Sequence, residues 1–389
     1  MVPSVWSPCS VTGQDEYFLS FRTVLEMQER SEWLTPYVNG EVRLQKPPLL
    51  YWLMRGAFLL FGSNLFAARI WCVLAAAGFA LFTAKLARQY RSSGYLAGVL
   101  VISAAGVMID ARRAMFDLPV ACLATAAIYY AILWHREGRL RTALLMATAL
   151  AAGAMCKGPA ALWFFLAAVI AAAVTRRARP AGPWWHLALA TTCFGALALP
   201  WPLWVQEHHP SFGQVLLEQA EQRQFATPSA SRLPRLLAAL LGLIVPWSIG
   251  ALASAWAGWR QRSTATEPAR WLCAWVLIGL LPFAFLKTFE RYLLALLCPL
   301  AILTAHWLAQ LPPARLRSQL SIAAVLTGVP VMVFALFAAW FGFSYAWPLL
   351  AAGLVAVTWR AARRSDEMAK SRQRTSDRDD DAPAARIIA

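Results

Sequence analysis

Along most of the chain, apolar residues arrive in continuous runs, not as stripes at helical spacing. The runs cover about 66 to 86, 95 to 111, 118 to 134, 142 to 156, 159 to 175, 185 to 204, 236 to 257, 271 to 286, 290 to 309, 320 to 343 and 345 to 359. Each approaches the roughly 20 residues that an α-helix needs to cross a bilayer. The pattern predicts an all-α polytopic membrane protein with about 11 transmembrane helices. Two stretches depart from it. "VTGQDEYFLSFRTVLEM" (11–27) alternates at helical period and predicts an amphipathic helix with Phe18, Phe21 and Leu25 on its buried face; "FGQVLLEQAEQRQF" (212–225) predicts one interfacial helix in a long loop. Three regions follow: a first loop with amphipathic helices (1–65), a transmembrane body (66–359) and a charged, aromatic-free tail (360–389) expected to be disordered.

Charge orients these elements. Of 389 residues, 59% are hydrophobic and 14% charged, with a formal net charge of +16. The basic residues are spread through short loops, not gathered on one face, so topology accounts for them and a nucleic-acid partner is not expected. Lys85, Arg88 and Arg91; Arg136, Arg139 and Arg141; Arg176, Arg177 and Arg179; Arg260, Arg262 and Arg270; Arg315 and Arg317; and the tail from Arg360 mark successive cytoplasmic loops, each two spans from the next. The intervening loops, and residues before 65, then face outward. That placement leads us to expect a further span upstream of residue 1. Six of the seven cysteines lie in or at the ends of apolar runs, and neither disulfide nor metal-ligand spacing is present.

The outer face still collects charges of both signs near helix ends, where ionisable groups are costly unless paired or used. Each has an ordinary explanation as well as a chemical one. Asp15, beside Glu16, is placed to cap a helix with Thr12 or to act as a base toward a hydroxyl. Asp117 in "ARRAMFDLPV" is an N-cap ahead of Pro119 or a second catalytic carboxylate. Lys46 in "LQKPPLLYW" and Lys157 in "CKGPAAL" are snorkelling lysines at span ends, or cations held on stiff proline loops to meet an anion. Lys287, Arg291 and Tyr292 in "LKTFERYLL" form a third such group, and Arg112 with Arg113 a fourth, suited to gripping phosphate. His208 and His209 lack a second ligand pair at metal spacing.

The runs "DEYFLSFRTVLEMQERSEWLTPYVNGEVRLQKPPLLYWL", "FGSNLFAARIW", "ARRAMFDLPVA", "KGPAAL" and "ERYLLALLCPLAIL", in this order, resemble the bacterial aminoarabinose transferases of lipid A and the related dolichyl-phosphate-mannose protein mannosyltransferases. The resemblance implies a GT-C-like membrane glycosyltransferase that uses a polyprenyl-phosphate sugar donor and no nucleotide sugar. It implies Asp15 as the catalytic carboxylate, with Asp117 as a second acidic residue. Glu16, Lys46, Tyr51, Arg112, Lys157, Lys287, Arg291 and Tyr292 fall to substrate binding, Lys46 and Arg291 toward the donor phosphate. No metal ligand is assigned, and a divalent-cation requirement stays open.

The expected reaction is inverting transfer to a lipid A-like or protein acceptor, at the periplasmic face of the bacterial inner membrane. Membrane lipids are the other expected partners. The alternatives are a lipid or solute transporter or flippase, for which charges near mid-bilayer and paired broken helices would speak, and an inactive relative.

Overall fold

A computed structural model describes residues 16–175, 181–223, 232–260, 267–286 and 289–340. Helices account for nearly all of them. The first loop opens with a π-helical turn (Tyr17–Phe21) that runs into α1 (Arg22–Glu29). The wider turn shifts the helical phase, so the buried line passes through Ser20, Thr23, Val24 and Met27, while Phe18 is exposed and Phe21 and Leu25 are half-buried. The predicted amphipathic helix is therefore present with a different inner face.

A two-stranded hairpin follows, β1 (Tyr37–Val38) and β2 (Glu41–Val42), paired Tyr37 to Val42. Its turn places Asn39 and Gly40 at φ 54° and 83°, the left-handed pair that Asn-Gly adopts readily. Glu26 of α1 clamps this turn, accepting the N–H of Asn39 at 2.6 Å and of Gly40 at 2.9 Å, and the Arg22 guanidinium at 2.7 Å. Burial alone would raise the Glu26 pKa. The two backbone donors and Arg22 outweigh it and hold the carboxyl below its ordinary value.

Helix α2 (Leu49–Phe61) begins after Pro47-Pro48. Helix α3 (Leu65–Arg88) is capped by Asn64, whose side chain accepts the Ala67 N–H at 2.9 Å, and carries Lys85 and Arg88 in its last turn. Next come α4 (Gly94–Ile102), α5 (Ala105–Asp110), α6 (Asp117–Glu137), α7 (Leu140–Lys157) and α8 (Ala160–Thr175). Helices α6 and α7 form an antiparallel pair closed at Gly138, whose φ of 65° suits a left-handed helix stop. Because α6 starts at Asp117 and α7 ends at Lys157, this pairing brings the acid and the base to the same end. Each also sits at the helix terminus its charge favours.

Helices α9 (Trp184–Ala198) and α10 (Pro200–His208) bend by 41° at Leu199-Pro200. Helix α11 (Phe212–Arg223) is the expected interfacial helix; its last predicted residues, 224 and 225, lie outside the described ones. Helices α12 (Arg232–Leu243) and α13 (Ser248–Arg260) meet at 118°, and α14 (Glu267–Leu280), two 3₁₀ turns (Leu281–Ala284 and Glu290–Leu296) and α15 (Leu297–Leu308) complete the first compact unit. A second unit starts at Leu311, and its described part is a single helix, α16 (Pro313–Trp340).

Among the described residues, four helices are long and apolar enough to cross a membrane, or six if each bent pair is one span; several shorter apolar helices accompany them. The expected eleven spans are therefore not reproduced one for one. The run at 95 to 111 breaks at Ser103. There the freed Ala105 N–H donates to the Val245 carbonyl at 2.8 Å, and the Trp247 indole donates to Ser103 Oγ at 2.9 Å. The run at 236 to 257 is bent by a sharp elbow, and the run at 345 to 359 lies outside the described residues, as does the tail. A length count of apolar residues cannot see such breaks, because the partner of each freed backbone group is far away in sequence.

Candidate active site

The acidic motif of the first loop is half visible. Asp15 lies outside the described residues; Glu16 is fully buried. Its carboxylate takes a two-pronged contact from Arg69 of α3, Nε to Oε1 at 2.6 Å and Nη2 to Oε2 at 2.8 Å, and Oε1 also accepts the Ala114 N–H at 2.8 Å. Both ions are sealed from solvent, so the pair ties the start of the chain to α3 and to the 111–116 loop. The partners of the Glu16 carboxylate are thus structural ones, Arg69 and the Ala114 N–H. Tyr51 is also enclosed. Its ring is buried against Phe116, with centroids 5.4 Å apart, and its hydroxyl donates to the Leu19 carbonyl at 3.0 Å.

A different arrangement surrounds Asp117. Its Oδ1 is ion-paired with Lys157 at the end of α7, and its Oδ2 faces Arg291 Nε at 3.3 Å. The Lys157 ammonium also sits 3.6 Å from the Tyr292 ring centroid, and the Arg291 guanidinium lies over Phe289 at 4.5 Å. Four of the residues singled out in the sequence, from three separate stretches, thus form one cluster. Gly158 follows Lys157 with φ 63°, a left-handed stop that ends α7 at the lysine.

The cluster faces a cavity of about 810 Å³. Lys46, Gln45, Asp117, Lys157, Gln219 and Tyr292 supply its polar lining, and Trp163, Phe164, Phe194, Trp201, Phe212 and Phe283 much of its apolar wall. Lys46 therefore shares a cavity with Asp117 and Lys157 although 71 residues separate Lys46 from Asp117 (117 less 46). Arg112 and Arg113 are half-buried on the loop behind Asp117 and are not among the described lining residues. Lys287 lies outside the described residues.

His208 donates from Nδ1 to the Trp204 carbonyl at 2.9 Å, and His209 lies 3.4 Å from the Thr35 hydroxyl. Among the described residues, no three His, Cys, Asp or Glu side chains converge as a metal site would require.

Two participants escaped the sequence reading. Arg69, inside the apolar "LFAARIW", carries the signal that a charge within a span demands a partner. Asp110 is buried at the end of α5 and interacts electrostatically with Asp117, Arg113, Arg291 and Lys157. A lone acid closing the run "VMID" gives little hint of that.

The comparisons agree with this picture. Residues 45–204 match the family model described as dolichyl-phosphate-mannose-protein mannosyltransferase. The chain is 29% identical over 322 residues to the undecaprenyl phosphate-alpha-4-amino-4-deoxy-L-arabinose arabinosyl transferase of Serratia proteamaculans, covering 78% of this chain and 56% of that protein. The corresponding transferase of Yersinia pestis is 28% identical over 300 residues, covering 72% and 52%. The chain thus spans about half the length of the curated relatives it matches.

Among solved structures, ArnT of Cupriavidus metallidurans in the apo state superposes with a TM-score of 0.67 at 20% identity, over 86% of this chain and 63% of ArnT. The same protein bound to undecaprenyl phosphate gives 0.67 at 21%, over 85% and 62%. At that identity the likeness shows a shared fold: this is a multi-pass, all-α membrane protein. The resemblance to aminoarabinose transferases and protein mannosyltransferases read from the motifs is found again by sequence and by fold.

Proposed function

We propose that this chain is an integral membrane glycosyltransferase that moves a sugar from a polyprenyl-phosphate donor to a lipid A-like or protein acceptor, with inversion, at the periplasmic face of the bacterial inner membrane. The observation that carries the proposal is the cavity: its lining combines Lys46 and Lys157, Asp117 and Tyr292 with aromatic and apolar side chains. An amphiphile with an anionic head and a long hydrocarbon tail matches both parts. The names of the relatives, which act on an undecaprenyl-phosphate sugar, support the same donor class.

In this reaction the acceptor oxygen attacks the anomeric carbon and a new C–O bond forms. The bond from that carbon to the phosphate oxygen breaks, and its electron pair leaves with the phosphate. Asp15 takes the acceptor proton. Lys46, Lys157 and Arg291 stabilise the charge growing on the departing phosphate, with Arg112 in support. Asp117 holds Lys157 and Arg291 in place and exchanges part of that pairing for the phosphate when donor arrives. A leaving group met by cations needs no proton donor.

The two bent helix pairs, α9–α10 and α12–α13, are the features that favour the transporter reading. Both readings are separated by giving the purified chain a polyprenyl-phosphate sugar and lipid A in detergent. Product detected by mass spectrometry, and lost in Asp15→Asn at equal protein level, supports transfer. Lipid movement across vesicles without product would sink it.

A further inference from the structure

Two polar side chains of the cavity lining, Gln45 and Gln219, have no part in the transfer step. Both are carboxamides, and packing holds both in place. Leu44 is buried in a cluster with Met155, Trp201 and Phe212, and Pro47-Pro48 stiffens the chain on the other side, so the backbone of Gln45 is fixed at the cavity. Phe212 of the same cluster meets the Trp201 ring edge-on, with centroids 5.9 Å apart, and anchors the start of α11. Phe212, Leu216, Gln219 and Ala220 follow one another at i, i+4, i+7 and i+8, a single helix face, and all four line the cavity. The helix thus turns an amide inward, while its carboxylates Glu218 and Glu221 are exposed and are not among the described lining residues.

The other polar groups of the lining are already engaged. The Trp163 indole donates to the Gly279 carbonyl at 3.1 Å and the Trp201 indole to the Leu34 carbonyl at 2.8 Å. Asp117 divides its two oxygens between Lys157 and Arg291, and the Tyr292 ring lies against the Lys157 ammonium. Gln45 Oε1, by contrast, has no hydrogen-bond partner among the described residues. Rotation about the last side-chain bond exchanges this oxygen with the amide nitrogen, so Gln45 can present an acceptor or a donor.

A sugar hydroxyl both donates and accepts, and a carboxamide answers both. An ammonium only donates, and it brings a positive charge into a cavity that already holds Lys46 and Lys157. The one carboxylate among the described lining residues, Asp117, is shared between two cations.

We propose that the cavity selects a donor whose sugar is neutral, bearing hydroxyls and no ammonium, and that Gln45 and Gln219 bind those hydroxyls. The selection works in both directions, since the amides favour a hydroxyl and the lysines oppose an amine. The inference rests on the glycosyltransferase reading and names the class of sugar for the same site. It sets this chain apart from the relatives whose named sugar carries an amino group.

The test uses the full chain in detergent at neutral pH, with donor affinities measured by competition against labelled undecaprenyl phosphate. Two matched pairs of undecaprenyl-phosphate donors serve as probes, arabinose against aminoarabinose and glucose against glucosamine. Within each pair one hydroxyl is exchanged for an ammonium. The neutral member is expected to bind about tenfold or more tightly, a size in keeping with repulsion by two cations at intermediate dielectric. Gln45→Ala and Gln219→Ala are each expected to weaken the neutral donors about fivefold while the affinity for undecaprenyl phosphate, which has no sugar, stays unchanged; a merely structural role would change both. Gln45→Glu and Gln219→Glu supply a carboxylate and should narrow or reverse the preference. An amino sugar donor bound as well as its neutral partner by the parent chain overturns the inference and leaves the glycosyltransferase reading standing. A preference that all the folded variants keep, or failure of all four to fold, overturns it as well, by assigning the amides to the scaffold. If undecaprenyl phosphate itself does not bind the parent chain, the broader reading falls and takes this one with it.

Discussion

Two acid–base clusters lie close together in this protein and have opposite designs. Glu16 and Arg69 are both fully buried, bidentate and topped by the Ala114 N–H, so nothing can enter between them. Asp117 shares its two oxygens between Lys157 and Arg291, and Asp117 and Lys157 line a large cavity. The same side-chain chemistry is a closed pair in one place and a shared pair beside a cavity in the other. What differs is whether one side of the cluster opens onto space that a ligand can fill.

The largest effect expected is at the closed pair. Arg69→Met leaves a buried, unpaired carboxylate and should cost about 3–5 kcal/mol. Thermal unfolding in detergent would show it as a marked drop in midpoint or as loss of folded protein; a small shift would mean that the pair is not structural. At the open cluster, Lys157→Met leaves the buried Asp117 with Arg291 as its remaining cation, so it should lower the unfolding midpoint by less than Arg69→Met but lower the transfer rate by about 100-fold, the scale of losing one preorganised charge-stabilising group. Equal damage to stability and rate would erase the distinction between the two clusters.

Glu26 tests an intermediate case, a carboxylate used only by backbone and Arg22. Glu26→Gln should weaken the hairpin by about 1–2 kcal/mol, read as faster hydrogen exchange at Asn39 and Gly40. Because the folded pKa lies below the ordinary value of 4.5, this stabilisation is complete above that value and is lost as pH falls through the depressed pKa. The protection factor at the turn, normalised to the intrinsic exchange rate at each pH, should therefore drop on acidification; a protection factor unchanged with pH would contradict the clamp. The smallest effect is expected for Tyr51→Phe, about 1 kcal/mol for one hydroxyl bonded to the Leu19 carbonyl, with transfer retained. Loss of transfer there would return Tyr51 to the substrate.

Much of the open cluster was legible in the sequence, because charge is so scarce in this chain that each outward acid or base near a span end stands out. Asp117, Lys157, Arg291 and Tyr292 were chosen on that ground, and they meet; Lys46 shares their cavity. The Asn39-Gly40 hairpin was also written plainly, as a two-residue turn signal, although it was passed over in favour of helices alone. The burial of Glu16 and Tyr51 was not legible: they stand in the same motifs as cavity residues, and burial cannot be read from adjacency.

The sequence by itself determined the all-α, many-helix membrane character and the scarcity of charge outside the basic loops. These follow from hydration, since uninterrupted apolar runs and few charges admit few other solutions. Tertiary structure alone decided which acid would be sealed, which would face the cavity, and where the apolar runs break. Each of those outcomes depends on partners tens to hundreds of residues away, whose contacts exist only once the helices have packed.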